Sequence, residues 1–280
     1  MDIDIQFPIL SLLAQKHKYT LKELSKMAPI TKDGYLGLSD CCYVITNNVP
    51  RWLGGDAYNY LFTLNKFLNE LPDVNNEHEK IWKKITGSQS SFLDTVIESA
   101  WVLHFRSKGI SVHFEEPLPD GKDADIMFVL NNTTYWLDVL NISLDKSRFS
   151  VTTLDTSSID WPIRGEQIDA FAKKAFIQPQ PSPQELIEEL AKRAVDKYKR
   201  KFKENVISGA IQDSKVGILL CVLKAEKYMV PLFFRPFSSP PPILFSDKTP
   251  GLKVVWVHTL RPDANSDLLI PNQILPWMIA

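Results

Sequence analysis

The pattern of apolar and polar positions changes character at about residue 91. From Ser91 the stretch SFLDTVIESAWVLHFRSKG carries Phe92, Leu93, Val96, Ile97, Ala100, Trp101, Leu103 and Phe105. These cover a helix almost all round, which predicts burial against a sheet, with Gly109 as the stop signal. A strand, ISVHFEEPL, comes next. Lys122 to Ile142, KDADIMFVLNNTTYWLDVLNI, then reads as a β-hairpin: two β-branched and aromatic runs flank Asn131-Asn132, a pair that tolerates the positive φ of a tight primed turn. With a two-residue loop, cross-strand partners have numbers that sum to 263. Further on, the spacing of Ile187, Leu190, Ala194, Tyr198 and Phe202 predicts a long amphipathic helix from Gln184 to about Asn205. A weaker helix is expected from Gly165 to Phe176. The runs VGILLCVL (216–223) and LKVVWVHTL (252–260) read as buried strands, with the proline-rich loop SSPPPILF (238–245) between them.

Residues 1–90 form a mainly helical N-terminal region. Ile9, Leu12 and Leu13, then Leu21, Leu24 and Met27, give two short helices parted by Lys18-Tyr19-Thr20. Thr20 with Glu23 forms a capping box. The pair could serve as a helix-turn-helix, but no third helix or wing is evident downstream, and a plain packing pair accounts for it. Residues 33–57, broken by Gly34, Gly37, Pro50, Gly54 and Gly55, read as irregular. A helix follows from about Ala57 to Leu71, and then the polar stretch PDVNNEHEK. The element order from residue 91, α-β-β-β-α-β-β, predicts an α/β fold with a mixed central sheet, over residues 91–280.

Composition narrows the setting. The net charge of −1 gives no global basic signature, so any nucleic-acid surface must be local. Three cysteines, two of them adjacent, make a poor disulfide framework and no zinc spacing, which favours a reducing, cytoplasmic compartment. The acidic start with its short apolar core does not read as a signal peptide, and no apolar run is long enough to cross a membrane.

The candidate chemistry lies in the hairpin. Asp125 and Asp138 sum to 263, so they stand opposite each other with Cβ atoms ~5 Å apart. Like charges so placed destabilise a sheet and call for a proton or a cation between them; a divalent metal is the usual answer. Val139, Leu140 and Ile142 read as a strand buried on both faces, so Asp138 needs a partner. Glu98 interrupts the apolar helix upstream, where it either faces water along Asp94, Glu98 and Val102 or pairs with an arginine. The histidines show no ligand spacing; His104 reads as a core residue, and His113 could rim a cleft. Seven basic residues lie between Lys192 and Lys203, either a solvated face or a phosphate-contacting patch.

The order α-β-β-β-α-β, with Glu98 in the first helix, Asp125 opening the second strand and Asp138 closing the third, resembles the PD-(D/E)xK nuclease superfamily, the restriction-endonuclease-like fold. The resemblance covers about residues 90–260. It implies a metal-dependent endonuclease hydrolysing DNA phosphodiester bonds, in a restriction or defence setting. Glu98, Asp125 and Asp138 would be catalytic residues and ligands of Mg²⁺ (or Mn²⁺), and Lys192, Lys197, Lys199 and Arg200 would contact nucleic acid. Residues 1–90 would serve recognition or dimerisation, with a homodimer as one arrangement. In the family pattern a lysine follows the acid of residue 138 by two positions; this chain has Leu140 there. Lys122, Lys192 and Lys197 are candidate replacements. The alternative is a catalytically degenerate nuclease-like domain acting as a DNA-binding or protein-assembly module, for which Leu140 is the main argument.

Overall fold

A computed structural model describes residues 2–27, 36–49, 51–71, 77–142, 183–212, 215–222, 254–262 and 266–278. The expected helix at Gly165–Phe176 and the proline-rich loop at 238–245 lie outside these residues. Seven helices come first: α1 (Ile3–Gln6), α2 (Pro8–Lys16), α3 (Leu21–Lys26), α4 (Leu38–Thr46), α5 (Arg51–Glu70), α6 (Glu77–Ile85) and α7 (Gln89–Ser107). Strands β1 (Val112–Pro117), β2 (Asp123–Leu130) and β3 (Thr133–Ile142) follow. After them come α8 (Pro183–Lys201), α9 (Lys203–Ile207), β4 (Val216–Val222), β5 (Val254–Pro262) and β6 (Leu269–Met278). Among the described residues no helix is long and apolar enough to cross a membrane.

Local chemistry sets the helix boundaries. The Thr20 hydroxyl accepts from the Glu23 N–H at 3.0 Å, and the Glu23 carboxylate accepts from the Thr20 N–H at 2.8 Å. This is the expected capping box, and it satisfies two donors that the first turn of α3 leaves open. Asp4 ties three helices together, accepting from the Ser11 hydroxyl at 2.7 Å and the Leu21 N–H at 3.0 Å.

Helix occurs within two stretches where the sequence suggested none. Within residues 33–57, α4 occupies Leu38–Thr46 and α5 begins at Arg51, with Gly54 and Gly55 inside it. Each interior glycine costs about 1 kcal/mol relative to alanine. Burial offsets that cost: Cys41, Cys42 and Ile45 of α4 pack into the core with Ala57, Leu61, Leu64, Phe67 and Leu68 of α5. Likewise the EHEK end of the polar stretch, residues 77–80, opens α6, which buries Ile81, Trp82 and Ile85 behind an acidic first turn and a basic last turn.

The six strands form one mixed sheet in the order β1-β2-β3-β4-β5-β6. β1 to β3 are antiparallel, β3-β4 and β4-β5 are parallel, and β5-β6 is antiparallel. The parallel step from β3 to β4 requires a crossover, and α8 lies within it. β6 was not expected because Pro271 and Pro276 interrupt its run. As an edge strand it can hold prolines that a central strand could not.

The sheet separates two layers. Leu137 and Val139 join the main core with Val96, Ile97, Ala100 and Trp101 of α7, so that face of β3 looks toward α7. Residues of opposite parity, Asp138 foremost, look toward α8, whose Ala194 and Tyr198 are buried, as is Phe202 just beyond its end. The main core is continuous from Ile3 to Leu269. Polar ties cross it: the Leu269 N–H donates to Thr63 Oγ1 at 2.9 Å and Asn59 Nδ2 donates to the Asp267 carbonyl at 2.7 Å.

Candidate functional site

The hairpin forms as its sequence predicts. Asn131 and Asn132 both adopt positive φ, 51° and 58°, as a type I′ turn requires. Pairing runs from Leu130↔Thr133 to Ile126↔Leu137, each pair summing to 263, and then stops. Asp125 and Asp138 are the next residues in this register, and there the two strands part. The Asp125 side chain fills the gap, its Oδ2 accepting from the Val139 N–H at 2.7 Å. Asp138 continues instead in parallel with Ile218 of β4. On the other flank of β2, pairing with β1 passes from Phe114↔Ile126 to Glu116↔Ala124 and skips Glu115, which has φ 51°. A left-handed conformation costs a non-glycine residue roughly 1–2 kcal/mol. Asp125 is thus bordered by a break in the ladder on both sides.

Charged groups collect at this break. From α8, Lys197 Nζ lies 3.0 Å from Asp138 Oδ2 and 4.0 Å from Asp125 Oδ2. One turn later, Lys201 Nζ lies 3.5 Å from Asp138 Oδ1 and 3.8 Å from Asp125 Oδ1, and donates to the Asp123 carbonyl at 2.7 Å. From α6, Lys84 donates to Glu98 Oε2 at 3.3 Å, pairs with Glu115, and sits 5.4 Å from the centre of the Phe114 ring. Asp94, one turn before Glu98 on α7, is hydrogen-bonded to Asn141.

Burial dominates the electrostatics. Asp138 is fully buried. Burial first, and then the neighbouring Asp125, push its carboxyl up to about 8, while Lys197 and Lys201 pull the other way. Lys197 is near enough for an ion pair, yet neither Asp138 oxygen accepts an aligned hydrogen bond. Burial lowers the Lys197 ammonium, but Asp138 and Asp125 outweigh it and the net shift is upward. The direction for Asp138 is upward, because burial and a second carboxylate both penalise its charge. Glu98 rises to about 8 for the same reasons, burial and then Asp125, opposed by Lys84. Burial likewise raises Asp94, against its bond to Asn141.

The three sequence-predicted acids therefore belong to one charge network, with Glu98 buried and held by a cation rather than facing water. Of the lysines considered for the position lost to Leu140, Lys197 reaches the aspartate pair. Lys122 pairs with Asp120 at 2.9 Å, and Lys192 is exposed. Lys199 and Arg200 are also exposed, and Leu140 is half-buried. His113 stands on β1 with Glu116 at 3.8 Å, and burial lowers His104. Lys84, Glu115 and Lys201 were not singled out from sequence, and Asp94 was named only as part of a water-facing stripe. Only Lys201 had a readable signal, its i+4 spacing from Lys197.

Among the described residues no three histidine, cysteine or acidic side chains converge as a ligand set. The pair itself suits a hard cation, because Asp138 offers two buried oxygens without an aligned donor and Asp125 stands beside it. Mg²⁺ is commonly held by one or two carboxylates, with water and substrate phosphate completing its shell. The chain matches no protein-family model, no curated protein and no solved structure.

Proposed function

We propose that this chain is a divalent-metal-dependent phosphodiester hydrolase acting on DNA, with Asp125 and Asp138 holding Mg²⁺ or Mn²⁺ and Lys197 supplying the ammonium that Leu140 lacks. One observation carries the reading: Lys197 comes from a different element, the helix packed on that face of the sheet, to 3.0 Å from Asp138 on the face shared by both aspartates. A metal bound there supplies an activated water and offsets charge building on the phosphate. Asp138, fixed by its pairing with β4, would hold the ion. Asp125 is held by the Val139 N–H and cannot turn away without breaking that bond. Lys197, fixed between the buried Ala194 and Tyr198, orients the attacking water and stabilises the anionic transition state. Glu98, paired with Lys84, stands behind Asp125 without having to be a ligand.

The absence of a three-ligand set among the described residues favours a second reading, a nuclease-like module that binds DNA without cutting it. Incubation of supercoiled plasmid with Mg²⁺ or Mn²⁺ separates the two. The hydrolase reading expects metal-dependent nicking or linearisation that Asp138→Asn abolishes. Intact plasmid across pH and metal concentration, with DNA binding retained, supports the second reading instead.

A further inference from the structure

The two lysines of α8 are held differently. Lys197 Nζ makes the short contact to Asp138, and its side chain is 15% exposed. Lys201 Nζ is 3.5 Å or more from every carboxylate oxygen it faces, and its side chain is 25% exposed. Its one short bond goes to a neutral acceptor, the Asp123 carbonyl at the start of β2. The backbone around it is anchored by Tyr198 and Phe202, both buried, so the four-carbon stem can swing while the helix stays fixed.

Charge balance gives the swing a direction. With both carboxyls ionised, as a bound cation requires, two aspartates and two lysines neutralise one another. A divalent cation bound to the aspartates leaves two positive charges in excess. That surplus loosens Lys201, whose hold is mostly long-range, before it loosens Lys197, and it attracts an anion. We infer that Lys201 is the phosphate-contacting residue of this site: it caps the aspartates in the metal-free protein and turns to a phosphodiester oxygen once a divalent cation is bound. The inference rests on the metal-dependent reading above and adds a second lysine, with a separate task from Lys197.

The test uses the full chain with two probes. Mn²⁺ binding without DNA is followed by electron paramagnetic resonance. Binding of a fluorescent duplex in Ca²⁺ is followed by anisotropy across a salt series, with the folded fraction checked by circular dichroism. Lys201→Met should bind Mn²⁺ as tightly as the unaltered protein or more tightly, since a competing cation is removed. It should bind duplex more weakly, with the slope of log affinity against log salt reduced by about 1. Lys201→Arg should restore both the affinity and the slope. If the unaltered protein binds Mn²⁺ and duplex but Lys201→Met changes neither duplex affinity nor slope, the inference is overturned and the metal-dependent reading stands. If the unaltered protein binds no Mn²⁺, both fall.

Discussion

Asp138 carries the main tension of the molecule. A carboxyl group at zero exposure, without an aligned hydrogen bond and beside a second aspartate, is costly in its charged form. Glu98 shares the problem. Both hold protons in the folded chain up to about pH 8, whereas in the unfolded chain they release them near pH 4. Over that interval the folded state binds more protons, so stability falls as pH rises from about 4 to about 8 and their contribution is flat above that. Urea unfolding of metal-free protein should therefore show lower stability at pH 8 than at pH 5, with a smaller difference in Asp138→Asn. Adding Mg²⁺ should raise stability more at pH 8 than at pH 5, because the ion replaces the protons. A flat profile would mean that the cluster does not retain protons. The acids were legible from sequence because each disturbs an apolar pattern: Glu98 a buried helix, Asp138 a buried strand. Of their cations Lys197 was legible as a candidate on the basic helix, whereas Lys84 was not, because it reaches Glu98 from α6, which no local spacing connects to the hairpin.

At the scale of elements, the Asn131-Asn132 turn sets the register and thereby places the two aspartates opposite each other. A slip of one residue would send Asp138 to the α7 face. Replacing both asparagines with alanine asks two side chains to hold positive φ, at roughly 1–2 kcal/mol each. Thermal unfolding of the double variant should show destabilisation of about 2 kcal/mol or more, whereas Asn132→Gly should be neutral or stabilising. Equal stability of all three would contradict the assigned turn. The hairpin could be read in advance because its information is contiguous. β6 could not, since Pro271 and Pro276 are admissible only at a sheet edge, and edge position is a property of the assembled sheet. α4 escaped for a related reason: weak helix formers and flanking glycines mask a helix that burial of Cys41, Cys42 and Ile45 sustains.

At the scale of the whole molecule, the N-terminal helices and the sheet share one apolar core, and Lys84 extends that union to the charge network. Lys84→Met leaves Glu98 and Glu115 without their common cation and should destabilise the full chain by about 2 kcal/mol. Lys84→Arg, which keeps the charge, should lose less. A methionine variant as stable as the parent would show that α6 only packs beside the site. The change at residue 91, from short helices to an alternating α/β pattern, was visible in the sequence. The joining of the two regions was not, because it depends on which buried faces meet: α5 against α7, and Thr63 against the backbone of Leu269.

The proposed hydrolytic site depends on Lys197 as the ammonium beside the aspartate pair. Single-turnover cleavage of duplex DNA in Mg²⁺ decides this, comparing the unaltered chain with Lys197→Ala at saturating protein. Expected are cleavage by the unaltered chain and a fall of about 10²–10³-fold in the single-turnover rate for the variant, with duplex binding largely kept. No cleavage by the unaltered chain, or a variant that cleaves at the parent rate, would rule the proposal out.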